Sequence, residues 1–152
     1  MEIERKFLTK KIPFSLEQYP CSTISQAYIS LSPTIRIRQS NTEYFLTVKG
    51  KGNMTREEFE LPITKKQYIA LEKKCETPPV LKKRYYVPLS ENLTAEVDIY
   101  EGNLSGLITT EVEFATEKMA EQFLPPKWFG EEVTFDNRYK NTNLSLYGIP
   151  KT

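Results

Sequence analysis

A chain of 152 residues has room for one hydrophobic core that buries roughly 70% of its unfolded surface, and it is short for two. Hydrophobic residues at 39% and charged residues at 27% exclude a membrane protein, a disordered chain and a collagen-like fibre. With 21 Lys and Arg against 20 Asp and Glu, the net charge of +1 excludes a general electrostatic pull toward nucleic acid or an anionic membrane.

The elements read mostly as short strands. Residues 1–10 alternate, with Glu2, Glu4 and Lys6 on one side and Ile3, Arg5 and Phe7 on the other. Residues 11–20 hold two prolines and form a connection with a helical turn at 15–18. Strands are predicted over 23–31, 34–39, 44–49 and 55–63, separated by Pro33, by a hairpin turn at 41–43 and by Gly50-Lys51-Gly52-Asn53. A helix over 65–75 ends at Thr77-Pro78-Pro79. Strands at 80–88, 94–100 and 107–115 follow, and Thr116 caps a helix that runs to Phe123 before Pro125-Pro126. Residues 128–152 read as irregular apart from a short helix at 136–140. No repeat, low-complexity tract or linker interrupts the chain, so a single domain over 1–152 is predicted, built as a barrel or sandwich of about eight strands.

Strand residues i and i+2 share a face. Strand after strand here sets an apolar face against a strongly charged one. The charged faces carry Glu2, Glu4 and Lys6; Arg36 and Arg38; Thr47 and Lys49; Arg56, Glu58 and Glu60; Lys82, Arg84 and Tyr86; Glu96 and Asp98; and Glu111 and Glu113. For any one strand, a solvated face over a core explains this pattern. Seven such strands do not fit that explanation, because like charges such as Glu96/Asp98 or Arg36/Arg38 repel each other without a ligand of opposite sign. If these faces line the lumen of a closed barrel, carboxylates and bases nearly balance there. Such a lumen suits a small polyanion: Arg and Lys match phosphoryl oxygens, and carboxylates hold a bridging cation.

The chain contains no histidine, which excludes histidine general bases, Ser-His-Asp triads and almost every zinc or haem site. A metal would be a hard, oxygen-bound cation, Mg²⁺, Mn²⁺ or Ca²⁺. The proton acceptor is left as metal-bound water, a carboxylate, Tyr28, or a lysine of lowered pKa, with Lys6 and Lys49 the candidates. The two cysteines, Cys21 and Cys75, lack metal-ligand spacing and read as free thiols. With the polar start MEIERKF, which is not a signal peptide, they predict a cytoplasmic protein.

Taken in order, E-x-E-x-K (Glu2, Glu4, Lys6), Q-A-Y (Tyr28), R-x-R (Arg36, Arg38), Y-F-L-T-V-K-G (Lys49) and R-x-E-x-E (Arg56, Glu58, Glu60) resemble the CYTH group, the triphosphate tunnel metalloenzymes. So do K-x-R (Lys82, Arg84), E-x-D (Glu96, Asp98), E-V-E-F (Glu111, Glu113) and the late segments W-F-G-E-E-V-T and D-x-R-Y-x-N. The resemblance is to the short bacterial, inorganic tripolyphosphatase-like type. It implies an α+β, mainly β, fold: an eight-stranded antiparallel closed barrel forming a triphosphate tunnel, with helices packed outside. It also implies one or two Mg²⁺ or Mn²⁺ ions. Glu2, Glu4 and Glu113 correspond to ligands of the metal on the triphosphate, with Asp98 and Glu111 near it or near a second metal. Lys6, Arg36, Arg38, Lys49, Arg56, Lys82 and Arg84 correspond to the phosphate cradle, and Tyr28 to an active-site tyrosine. Glu58, Glu60 and Glu96 are expected to hold neighbouring bases in place.

The expected activity is metal-dependent hydrolysis of the terminal phosphoanhydride of inorganic tripolyphosphate to pyrophosphate and orthophosphate. One alternative is an organic triphosphate substrate, in a class IV adenylyl cyclase or a nucleoside or thiamine triphosphatase. A second is a polyphosphate-binding module without turnover. The expected partner is a small polyanion, with no nucleic acid and no membrane; a homodimer stays open.

Overall fold

Alternating sequence makes strands whose two faces cannot share one environment, and a barrel separates the two environments. The computed structural model describes residues 1–151. The strands are β1 (Glu2–Leu8), β2 (Cys21–Leu31), β3 (Thr34–Ser40), β4 (Glu43–Lys49), β5 (Thr55–Arg56), β6 (Glu58–Ile63), β7 (Val80–Pro88), β8 (Thr94–Tyr100) and β9 (Ile108–Glu113). They form one antiparallel sheet in the order β5-β1-β9-β8-β7-β2-β3-β4-β6.

The two ends of that order, β5 and β6, are separated in sequence by Glu57 alone. The first half of this stretch pairs with β1 and the second with β4, so one run of chain closes the barrel. The count is therefore nine strands where eight were expected. The single strand expected over 55–63 is interrupted where it changes partner, and there the Glu57 carbonyl turns aside to accept from Gly50 N at 2.9 Å.

The apolar core lies outside the barrel wall. Ile3 and Phe7 of β1, Val87 of β7, Ala95 and Val97 of β8 and Val112 of β9 form its inner layer. Helix α2 (Glu117–Gln122), the 11–19 connection and Trp128-Phe129 cover it, with Ala120 fully buried. Burial of a side chain such as Phe7 or Val112 contributes about 1.5–3 kcal/mol, which leaves the lumen free to be polar. Helix α1 (Lys65–Glu72) begins at a capping box in which Thr64 and Gln67 bond each other's backbone N–H groups.

Beyond residue 128 a 3₁₀ turn covers Asn137–Tyr139, where the short helix at 136–140 was expected, and α3 (Asn141–Tyr147), which was not expected, follows it. The sequence NTNLSLY is poor in strong helix formers, so propensity does not announce this helix. Tertiary packing makes it: Leu144, 1% exposed, joins Val80, Tyr100, Leu104, Leu107, Val133 and Tyr139 in a second cluster at one end of the barrel. Among the described residues, no helix is long and apolar enough to cross a membrane.

Candidate active site

The barrel register sets the charged residues side by side. Across β1 and β9, Glu4 faces Glu113 and Lys6 faces Glu111; across β8 and β9, Glu96 faces Glu111. On the other side Tyr28 faces Arg36, Arg36 faces Thr47, Thr47 faces Glu60, and Lys49 faces Glu58. These side chains line a cavity of about 820 Å³, within the usual range for a ligand site. Glu2, Glu4, Lys6, Tyr28, Arg36, Arg38, Lys49, Arg56, Glu58, Glu60, Arg84, Glu96, Glu111 and Glu113 all reach it.

On the β1, β8 and β9 side, carboxylates predominate and are neutralised by bases or by one another. Lys49 Nζ donates to Glu2 at 2.9 Å, and Lys6 Nζ lies 3.7 Å from Glu111. Burial would push Glu111 up, but Lys6, Arg84 and Lys82 hold it well below the usual carboxylate range. Glu2 is likewise held down by Lys49 against its burial. The other acids go the other way, Glu96 among them although Arg84 Nη1 lies 3.5 Å from it. Burial, then the Glu111 and Glu2 carboxylates, raise Glu4 well above its ordinary value, and Glu4 shares a hydrogen bond with Glu111. Burial and a hydrogen bond with Glu2 raise Glu58 to about 7. Burial also raises Glu96 and Glu113.

The β3 side is built differently. Arg36, 5% exposed, donates from Nη2 to Thr47 Oγ1 at 3.3 Å, and its Nε is buried with no hydrogen-bond partner among the described residues. Arg38 Nε donates to Gln26 Oε1 at 3.0 Å, and Gln26 in turn donates to the Tyr28 hydroxyl at 3.1 Å. Burial, with Arg36 and Arg84 beside it, lowers Arg38 to about 10. Arg56 Nε donates to the Gly50 carbonyl at 3.1 Å. Among the described residues, no carboxylate lies within 4.0 Å of Arg36, Arg38 or Arg56.

Two expected lumen residues do not reach the cavity. Lys82 and Asp98 are each fully buried, with Lys82 Nζ donating to Asp98 Oδ2 at 2.7 Å. Arg84 donates from Nε and Nη2 to the same carboxylate at 2.8 and 2.9 Å. Asp98 thus has both oxygens filled by bases and is not placed to hold a metal, and Lys82 is not placed to touch a phosphate. Instead the pair sits behind Arg84 and fixes the direction in which its guanidinium points. Burial raises the Tyr28 hydroxyl above its ordinary value despite Arg36 and Arg38, and the hydroxyl accepts from Gln26.

Other residues reach the cavity that strand alternation does not mark. They come from the 50–53 loop and from the C-terminal segment, among them Lys51, Asn53, Asp136, Asn137 and Lys140. The C-terminal segment also grips Lys6. Lys6 N donates to Thr134 Oγ1 at 3.0 Å, Val133 N donates to the Lys6 carbonyl at 2.8 Å, and Lys6 Nζ donates to the Tyr139 carbonyl at 2.6 Å. The sequence signals for this segment are its motifs W-F-G-E-E-V-T and D-x-R-Y-x-N and the short helix expected at 136–140, none of which carries the strand periodicity.

The donor set fits a hard cation. Glu2/Glu58 and Glu4/Glu111 are carboxylate pairs close enough to share a proton, an arrangement that a divalent cation satisfies equally well. As the side chains stand, no three acids among the described residues converge on a single point, so cation binding requires some of them to turn.

A closed barrel with an apolar exterior, a charge-filled lumen and opposed acid and base walls defines a protein that handles small polyanions. No protein-family model matches the chain. It is 43% identical over 150 residues to an inorganic triphosphatase of Nitrosomonas europaea, a match covering 95% of this chain and 97% of that one. It is 35% identical over 147 residues to an inorganic triphosphatase of Acetivibrio thermocellus, covering 94% and 92%. A crystal structure of an inorganic triphosphatase superposes with a TM-score of 0.71 at 40% identity, covering 99% of this chain and 97% of the other. The chain belongs to the triphosphate tunnel (CYTH) family, among its inorganic triphosphatases.

Proposed function

We infer that the protein is a hydrolase that cleaves the terminal phosphoanhydride of a linear inorganic triphosphate, releasing orthophosphate and pyrophosphate. The observation that carries this reading is the β3 wall. Leaving Arg36 Nε buried without a partner costs about 1–3 kcal/mol, and a phosphoryl oxygen from the cavity supplies the missing acceptor. Arg36 and Arg38 bind phosphoryl oxygens from the β3 side. Lys6, Lys49, Arg56 and Arg84 do so from elsewhere around the lumen, Arg56 standing on β5 beside Glu2 of β1, and Arg84 is aimed by Asp98 and Lys82.

Glu2, Glu4, Glu111 and Glu113 are the residues that would hold a Mg²⁺ or Mn²⁺ ion. When bound, the ion supplies charge neutralisation on the phosphates and a lowered pKa for water. Lys6 and Lys49 are set as donors, since Lys49 already donates to Glu2 and Lys6 to the Tyr139 carbonyl. Acceptance of the water's proton falls to the lumen carboxylates. The leaving pyrophosphate is stabilised by the guanidinium groups as its charge grows. The free thiols of Cys21 and Cys75 support a reducing, cytoplasmic setting.

Phosphate release is the test, measured with tripolyphosphate, ATP, GTP and thiamine triphosphate, in Mg²⁺, in Mn²⁺ and in EDTA. Fastest release from tripolyphosphate, abolished by EDTA and restored by either ion, is expected. Full activity in EDTA refutes the cation, and no release from tripolyphosphate refutes the hydrolase.

A further inference from the structure

Two cavity cations, Lys51 and Lys140, are supplied by no strand, and Lys140 is the one tied across the cavity margin. Lys140 lines the cavity from the C-terminal segment, and its Nζ crosses to the 50–53 loop to donate to the Gly52 carbonyl at 2.9 Å. Arg56 reaches the same loop from the barrel wall, donating to the Gly50 carbonyl. The loop is fixed in shape, since Gly52 has φ +133 and a Cβ there would collide with the Thr55 carbonyl. A second tie, Asn53 Nδ2 donating to Asn137 Oδ1 at 2.7 Å, fastens the segment to the loop. Two cations are thereby held on neighbouring carbonyls of one rigid loop, at the margin of the cavity.

Neither cation is neutralised. Among the described residues no carboxylate lies within 4.0 Å of Arg56 or Lys140, in contrast to Lys6, Lys49 and Arg84. Burial, then Arg56 and Lys49, lowers Lys140 below its ordinary value, as expected for an ammonium set among like charges. Like charges gathered at one margin of a cavity, with no carboxylate within 4.0 Å of either, are stabilised when an anion enters.

We propose that Lys140 and Arg56, presented by the 50–53 loop, form an anion subsite for the end phosphate of the bound chain and select an inorganic polyphosphate over a phosphate ester. The chemistry of the two ends makes the distinction. The end phosphate of tripolyphosphate carries close to two negative charges and three free oxygens. A nucleoside triphosphate has one such free end, but the end remote from its cleaved terminal bond, which is the end this subsite takes, is esterified, carries one charge and brings a bulky organic group. A pair of unneutralised cations gains more from the first. The proposal rests on the triphosphatase reading and adds to it the residue that decides between inorganic and organic substrates.

The experiment compares wild type with Lys140→Gln and Lys140→Arg. It measures kcat/KM for tripolyphosphate and, by calorimetry without divalent cation, the Kd of tripolyphosphate and of ATP. Lys140→Gln should lose about tenfold or more in both tripolyphosphate quantities while its Kd for ATP moves by less than about twofold; loss of one charged hydrogen bond sets that scale. Lys140→Arg, which keeps the charge, should retain most of the preference, whereas displacement of the segment alone would weaken both ligands together. Equal losses for tripolyphosphate and ATP, or no loss for either, overturn the subsite even if wild type turns over tripolyphosphate normally. If wild type binds tripolyphosphate but releases no phosphate, the hydrolase reading falls, and the two Kd ratios still decide the subsite.

Discussion

The two walls of the lumen treat charge in opposite ways. On the β1, β8 and β9 side, most acids are matched internally: Glu2 by Lys49, Glu111 by Lys6, Asp98 by Lys82 and Arg84, Glu96 by Arg84, and Glu4 and Glu58 by protons shared with Glu111 and Glu2. On the β3 side, Arg36 and Arg38 have only the neutral partners Thr47 and Gln26. One wall can rest without ligand. The other is held by the barrel in an arrangement that lacks counter-charge, which is preorganisation for an anion. Substrate with its cation would exchange partners on both walls at once, the cation replacing shared protons and the phosphates supplying the counter-charge the arginines lack.

The comparison predicts that equal losses of activity on the two walls come with opposite changes in stability. Glu4→Gln removes a proposed cation ligand with almost no change of shape and should lower kcat/KM by about 10³-fold, or about 4 kcal/mol in the transition state. Arg36→Gln should lower it by about 10²–10³-fold. Without ligand, however, Arg36→Gln should be more stable than wild type by about 1–3 kcal/mol in urea unfolding. It deletes a buried charge whose Nε has no partner and which stands beside Arg38. A destabilised Arg36→Gln protein would show that the wall is not strained, and the contrast would fail.

A smaller effect is expected behind the cavity. Asp98 is the shared counter-charge of two bases, all three being at least nine-tenths buried. Asp98→Asn leaves Lys82 and Arg84 facing each other and should cost about 3–5 kcal/mol of stability. Per folded molecule, turnover should fall only about tenfold, through a rise in KM from a misdirected Arg84. Unchanged stability would mean that the two bases find other partners and that Asp98 positions nothing.

These cases show what the amino-acid sequence encodes plainly and what it does not. Alternation with period two told which face each strand residue takes, and the residues so assigned to the lumen share one interior. It carries no information on depth along the barrel axis. Asp98 and Lys82 therefore looked equivalent to Glu96 and Arg84, although the structure seals the first pair behind the wall. Arg5 is a related case. It faces away from the lumen as its position in 1–10 requires, yet it is no idle surface charge. It donates to both Glu132 oxygens at 2.8 and 2.7 Å and to the Ala120 and Phe123 carbonyls, and so clamps β1 to α2 and the C-terminal segment. Lys140 and α3 were not legible, because an irregular segment places its side chains by tertiary docking of Leu144 and Tyr139 and by no local period. The break at Glu57 was likewise hidden, since a change of strand partner leaves the alternation almost intact.

The smallest test concerns the shared protons on the acid wall. Burial and the Glu2 carboxylate raise Glu58 from 4.5 to about 7 in the folded protein. Between those values the folded state keeps a proton that the unfolded chain has released. This contribution to stability is therefore complete below the unfolded pKa and is lost as pH rises through about 7. Glu58→Gln imitates the protonated carboxyl at every pH. In EDTA, its Tm relative to wild type should rise between about pH 5 and about pH 8, by a few degrees at most, because Glu58 is only half-buried and water screens it. Adding Mg²⁺ at the upper end should narrow the gap, since the cation then does for Glu2 and Glu58 what the proton did. A gap that stays flat with pH would show that the two carboxylates share no proton, and the internal matching on that wall would then extend only to the acids that have a base.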